Sequence, residues 1–203
     1  MKQKKPAKET YHHGDLRSAL LKQAVQLISK GGVAQLTLRE VSRKAGVSHT
    51  APYRHFKDKN ALLAAVAGEG FLLLEKEMAE VSVGRIGLER LHAMGIAYVS
   101  FANQNPYSYR VMFGPELQRR EVNAEEALKV AARAPLAVLE VAIRECQAAG
   151  LMKKREPQEL ALICWSMVHG LAGLTIDGQL KNTRWESKET ADRMIMAVVD
   201  SLR

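Results

Sequence analysis

Apolar residues recur along this chain at helical rather than strand spacing. Over 15–30 they fall at Leu16, Leu20, Ala24, Leu27 and Ile28, which predicts an amphipathic helix with Asp15 near its positive end. Gly31 and Gly32 end it. Thr37 stands before Leu38, Arg39 and Glu40, so its hydroxyl can cap a second helix with Glu40 at the third position, a capping-box pattern. That helix carries Leu38, Val41 and Ala45 on one side and stops at Gly46. Ser48 or Thr50 is expected to cap a third helix, which tolerates Pro52 in its first turn and runs to about residue 56. Asp58 caps a fourth, beginning near Lys59 and continuing through Leu62, Leu63, Val66, Phe71 and Leu72 to about residue 79.

Helical periodicity persists beyond this point, without an alternating strand or a hairpin turn. The predicted segments are 86–103, 106–113, 124–149, 157–177 and 187–202, with breaks at Gly84 and Gly87, Asn105 and Pro106, Gly114 and Pro115, Gly150 and Gly178. Pro135 is expected to kink the long segment or split it in two. The fold class is therefore all-α. Composition agrees: of 203 residues, 47% are hydrophobic and only 5% aromatic, so strand formers are scarce.

The longest weakly polar stretch, 161–176, is interrupted by Ser166 and His169 and is shorter than the roughly 20 apolar residues that span a bilayer. No membrane association is expected. Tyr11, His12, His13, Gly14 and Asp15 follow the basic start in place of an apolar export signal, which predicts a cytoplasmic protein. Cys146 and Cys164 lack paired spacing, and His12 with His13 lacks a third ligand type, so no disulfide framework, metal or cofactor is expected.

Charge divides the chain. Residues 1–66 hold 13 Lys/Arg and 4 Asp/Glu, a net of +9, whereas residues 67–203 hold 17 and 18, a net of −1, which together make the total of +8. A basic module on a neutral body is the electrostatic footprint of a polyanion binder. The basic residues lack the long apolar, aromatic-bearing face of an interfacial helix, which favours nucleic acid over membrane. The division expected is a basic N-terminal arm at 1–14, a DNA-binding domain at 15–66 and a helical body at 67–203.

The run LTLREVSRKAGVSHTAPYRHF, residues 36–56, places two short helices around a tight turn at Ala45, Gly46, Val47 and Ser48, the build of a helix-turn-helix. Such a unit must project the second helix into a major groove about 12 Å wide while the first braces it. Ser48, His49, Thr50, Tyr53, Arg54 and His55 supply polar groups there, and Lys57 and Lys59 flank a helix start where phosphate can bind. Tyr53 is read as a hydroxyl on phosphate in preference to a core tyrosine.

Over residues 11–75 these features resemble the tetracycline-repressor (TetR) family of bacterial transcription regulators, on the stretch LTLREVSRKAGVSHTAPYRHFKDKNALL. Pro52 departs from the Leu or Ile that many members carry. The resemblance implies an all-helical homodimer, usually a repressor, that binds double-stranded DNA at a palindromic operator and releases it when a small effector enters the C-terminal domain. It implies backbone contacts from Thr37 and Arg39 and a phosphate contact from Lys59. Trp165 to Gly170, WSMVHG, resembles the Trp-His-Gly pattern of one subgroup. The last two helices would form the dimer, with Val168, Leu171, Ala172, Met194, Ile195 and Val198 as candidates.

Around the break at Pro106, Tyr98, Phe101, Tyr107, Tyr109, Met112 and Phe113 are read mostly as core, with the alternative that they line an apolar effector pocket together with Trp165 and His169. Trp165 and His169 lie one turn apart and face the same way, and a buried, hydrogen-bonded structural pair is the preferred reading over a ligand-binding one. No GxSxG, HExxH, phosphate loop or Cys/His ligand set is present, so the chain is not expected to be an enzyme. A carrier without a gene-regulatory role and a non-specific DNA-binding protein are the competing readings.

Overall fold

A computed structural model describes residues 13–118 and 126–203, and these are all-α. The chain separates into two compact units, residues 1–66 and 67–203. The basic arm predicted at 1–14 lies outside the described residues up to 12, and helix already begins at His13.

In the first unit, α1 (His13–Gly31) and α2 (Leu38–Ala45) pack together, joined by a 3-10 turn, Val33–Gln35, that sequence reading does not predict. Gly32 takes φ 70°, the left-handed value that lets the chain leave α1. The core comprises Leu20, Ala24, Ile28, Leu36, Leu38, Val41, Phe56, Leu62 and Leu63, all buried. The Thr37 hydroxyl accepts from the Glu40 N–H at 3.1 Å, as the cap predicts. The reciprocal half of the capping box does not form, because both Glu40 carboxylate oxygens are taken by Arg43. α3 (Lys59–Ser82) opens with the Ala61 N–H donating to Asp58 Oδ1 at 2.8 Å.

In the second unit, α4 (Gly87–Gln104) is central and packs on α5 (Pro106–Phe113), α7 (Glu126–Ala148), α8 (Pro157–Ile176) and α9 (Lys188–Ser201). A single turn, α6 (Pro115–Gln118), follows Gly114 and was not expected. Residues 124 and 125, predicted as helix, lie outside the described residues. Pro135 neither ends nor divides α7, which continues through it as one helix. The Pro135 ring is buried in the helix packing.

α8 has 20 residues and a mean hydropathy of 1.5, so by length and composition alone it is long enough to cross a membrane, which residues 161–176 by themselves are not. Here Leu160, Ala161, Val168, Leu171 and Ala172 are buried in helix packing. Leu162 and Leu174 remain exposed on α8, as do Met194 and Met196 on α9.

Candidate nucleic-acid interface and ligand cavity

The turn after α2 is built by its glycine. Gly46 sits at φ 70° and ψ 25°, and the Val47 N–H reaches back to the Ser42 carbonyl at 3.1 Å, closing the helix end. The third helix, expected to run to about residue 56, is instead a single 3-10 turn, Ala51–Arg54. Pro52 has no N–H to extend an α-helical ladder, and the Ala51, Tyr53 and His55 N–H groups donate three residues back, to Ser48, Thr50 and Pro52. Neither Ser48 nor Thr50 caps it; their hydroxyls lie 3.2 Å from each other.

Pro52 and Phe56 are buried beneath this turn, so Ser48, His49, Thr50, Tyr53 and Arg54 are displayed outward, with Tyr53 58% exposed. Thr37, Arg39 and Lys57 are exposed as well. Two of the candidate residues are placed differently from expectation. His55 is half-buried beside Phe56, with ring centroids 6.2 Å apart, and its Nε2 is shut away from solvent with no hydrogen-bond partner among the described residues. Lys59 is half-buried, and its Nζ donates to the Val33 carbonyl at 2.6 Å, tying the start of α3 to the turn after α1. Lys59 therefore secures the scaffold, whereas Lys57 points to solvent.

In the second unit, five helices enclose a cavity of about 270 Å³. α3 contributes Phe71, Leu74 and Met78; α4 contributes Leu91, Met94, Gly95 and Tyr98; α7 contributes Ala132, Arg133 and Leu136 among others; α8 contributes Cys164, Trp165, Met167 and Val168; and α9 contributes Ile195, Val198 and Val199. Phe113 of α5 also reaches it. Gly95 is required by close approach: a Cβ there would lie 2.9 Å from Ile195 Cγ2. Burial pushes the Cys164 thiol up to about 11, so it lines the cavity as an un-ionised group.

Of the predicted pocket residues, Tyr98, Phe113 and Trp165 line the cavity. Phe101 and Met112 are core residues, Tyr107 is exposed, and His169 stands behind the wall. The dimer candidates Val168, Leu171, Ala172 and Ile195 are buried within the single chain and hence belong to its core, and Val198 lines the cavity. Met194 alone among the six is exposed.

Behind the cavity wall lies a polar cluster. The Trp165 Nε1–H donates to the Tyr98 hydroxyl at 3.1 Å, the Tyr98 and Tyr109 hydroxyls are 3.3 Å apart, and His169 Nδ1 lies 2.9 Å from Tyr98 and 2.7 Å from Tyr109. With Nδ1 as acceptor, every group is satisfied in one direction: Trp165 to Tyr98, Tyr98 to Tyr109, Tyr109 to His169. Tyr109 was legible as an aromatic near the Pro106 break, but its partners lie 11 and 60 residues away. Burial raises both tyrosine pKa values and lowers that of His169, so the cluster is neutral.

This has a consequence in acid. The unfolded chain protonates its histidine near pH 6.5, before the folded His169 does, so the contribution of the neutral ring is complete above that pH. It is lost as pH falls towards the lower folded value. His169→Gln, which retains an acceptor without titrating, is expected to show a shallower decline of Tm than the parent as pH falls below about 6.5. Parallel profiles would remove His169 from the acid response.

Among the described residues, no group of three or more His, Cys, Asp or Glu side chains is placed to hold a metal ion. A compact helical head bearing a glycine-closed helix-turn-helix, with a separate helical body around an apolar cavity, defines the class of helix-turn-helix regulators. The family models agree. Residues 20–66 match the bacterial regulatory proteins of the tetR family, and residues 91–198 match the tetracyclin repressor-like C-terminal domain. The chain belongs to the TetR family. It is similar to a protein of unknown function from Rhodococcus sp. RHA1, with 33% identity, a TM-score of 0.80 and 96% of each chain covered. It shares the fold of a tetR-family bacterial regulatory protein from Rhodococcus RHA1, with 21% identity, a TM-score of 0.71, and 92% of this chain and 96% of that one covered. It also shares the fold of the transcriptional regulator FadR from Bacillus subtilis in complex with stearoyl-CoA, with 16% identity, a TM-score of 0.73, and 92% and 99% covered.

Proposed function

We propose that the chain is a homodimeric, cytoplasmic, sequence-specific transcription repressor that leaves a palindromic operator when a small apolar effector enters the second unit. The observation that carries this reading is the outward row Ser48, His49, Thr50, Tyr53 and Arg54, held on a turn whose underside, Pro52 and Phe56, is core. Short donors at the start of the row suit base edges, and Tyr53 and Lys57 suit flanking phosphates. Two such turns, one per protomer, would enter major grooves about 34 Å apart or a multiple of that.

The dimer contact is assigned to the exposed apolar side chains of α8 and α9, Leu162, Leu174, Met194 and Met196, a face that one protomer leaves uncovered. The apolar cavity supports a ligand-responsive regulator, as does the fold shared with the Bacillus subtilis regulator that was solved with an acyl-CoA. Trp165 and His169, joined through Tyr98, support assignment to the Trp-His-Gly subgroup. An effector acts only if it binds the DNA-released arrangement better than the DNA-bound one.

The test is selection of duplexes from a random pool, followed by titration at two salt concentrations. An enriched palindrome bound on the order of a thousandfold or more tighter than random duplex is expected. Uniform, salt-sensitive binding would make the protein a non-specific DNA binder, and no binding would leave a ligand carrier.

A further inference from the structure

We propose that the cavity of the second unit takes a medium-length amphipathic monoanion, its apolar chain inside and its anionic head on Arg133. The proposal rests on the reading of this cavity as the effector site and names the chemistry of its ligand.

Three observations point there. First, the buried lining is hydrocarbon and thioether: Leu74, Met78, Leu91, Met94, Ile195 and Val199 offer no hydrogen bond to a polar ligand interior. Second, the indole and phenol polar atoms at the wall are already committed. The Trp165 N–H is spent on Tyr98, and the Tyr98 hydroxyl is held in the cluster with Tyr109 and His169, so this end presents ring faces. A ligand head placed there would have to break that cluster, at the cost of leaving buried donors unpaired. Third, Arg133 is the sole charged side chain among the described lining residues. It is exposed while lining the cavity, as is its neighbour Ala132, which marks the mouth on α7. Along the same helix Lys129 pairs with Glu126 and Arg144 with Glu140, whereas Arg133 enters no ion pair among the described residues. An uncommitted guanidinium at the rim of an apolar chamber selects a planar anion such as a carboxylate.

Size limits the chain. A dry cavity of about 150 Å³ holds the six carbons of benzene, so the 270 Å³ present here accommodates on the order of ten or eleven. A chain of eighteen carbons exceeds it.

Calorimetric titration of the full-length protein with decanoate, decanol, decyltrimethylammonium and stearate tests this. Decanoate is expected to bind about tenfold more tightly than decanol, with the cation and stearate weaker still. In R133Q, a substitution at an exposed position, the decanoate-to-decanol ratio should fall to near one while decanol affinity is unchanged. R133E should reverse the order in favour of decyltrimethylammonium. Equal binding of decanoate and decanol by the parent would overturn the head-group assignment, as would an unchanged ratio in R133Q. Stearate binding as tightly as decanoate would overturn the length, and no binding of any probe would overturn the whole. Operator release is measured separately: decanoate that binds without releasing DNA counts against the effector reading alone, and operator binding with no decanoate binding counts against the present inference alone.

Discussion

Arg54→Ala is expected to relax operator preference more than it lowers overall DNA affinity. Arg54 is exposed on the 3-10 turn, and no ion pair among the described residues holds it away from a groove. An arginine on a guanine edge contributes about 1–3 kcal/mol of discrimination, and a dimer loses it at two half-sites, so the specific-to-random ratio should fall by about 2–6 kcal/mol. Lys57→Ala provides the contrast. As an exposed phosphate contact, it should weaken every duplex alike and reduce the magnitude of the salt slope by about one per contact. Competition titrations over a panel of operator variants at two salt concentrations separate the two. A uniform loss for Arg54→Ala would move it from base reader to phosphate contact.

The second large effect is on stability. Leu20→Ala removes a side chain with no exposed surface from the core of the first unit. Leu-to-Ala changes at such sites cost about 2–5 kcal/mol through lost burial and the cavity left behind. A unit of about sixty residues has little stability to spare. The expected outcome is a variant that keeps its helical second unit and its ligand affinity but loses operator binding, with a lowered first transition in denaturant. Unchanged operator affinity would show that the first unit tolerates the void.

The helix ends were legible because each is decided within three to five residues. Thr37 bonds the N–H of Glu40, Asp58 that of Ala61, and Gly46 takes the left-handed turn with Val47 bonding back to Ser42. The exposure of the turn's polar residues was legible for the same reason: Pro52 and Phe56 anchor the turn locally, which leaves Ser48, His49, Thr50, Tyr53 and Arg54 outside. Two side chains whose placement the sequence does not show have an opposite cause. His55 and Lys59 carry polar groups typical of a DNA-binding face, but neighbours brought in by folding take them inward, Lys59 through a carbonyl 26 residues earlier.

By itself, then, the sequence determined the all-α class, the basic first unit and the capped helix-turn-helix, since helical periodicity, charge and capping depend on nearby residues. Tertiary structure decided which apolar residues serve the core, the cavity and the uncovered face. α8 is apolar on several sides, so periodicity alone could not tell Val168 and Leu171, which turn inward, from Leu162 and Leu174, which turn out. It also decided the Trp165–Tyr98–Tyr109–His169 cluster and the place of Arg133, because the bonds that join Tyr98 and Tyr109 to Trp165 and His169, 60 or more residues away, are set by how the helices pack and leave no local mark in the chain.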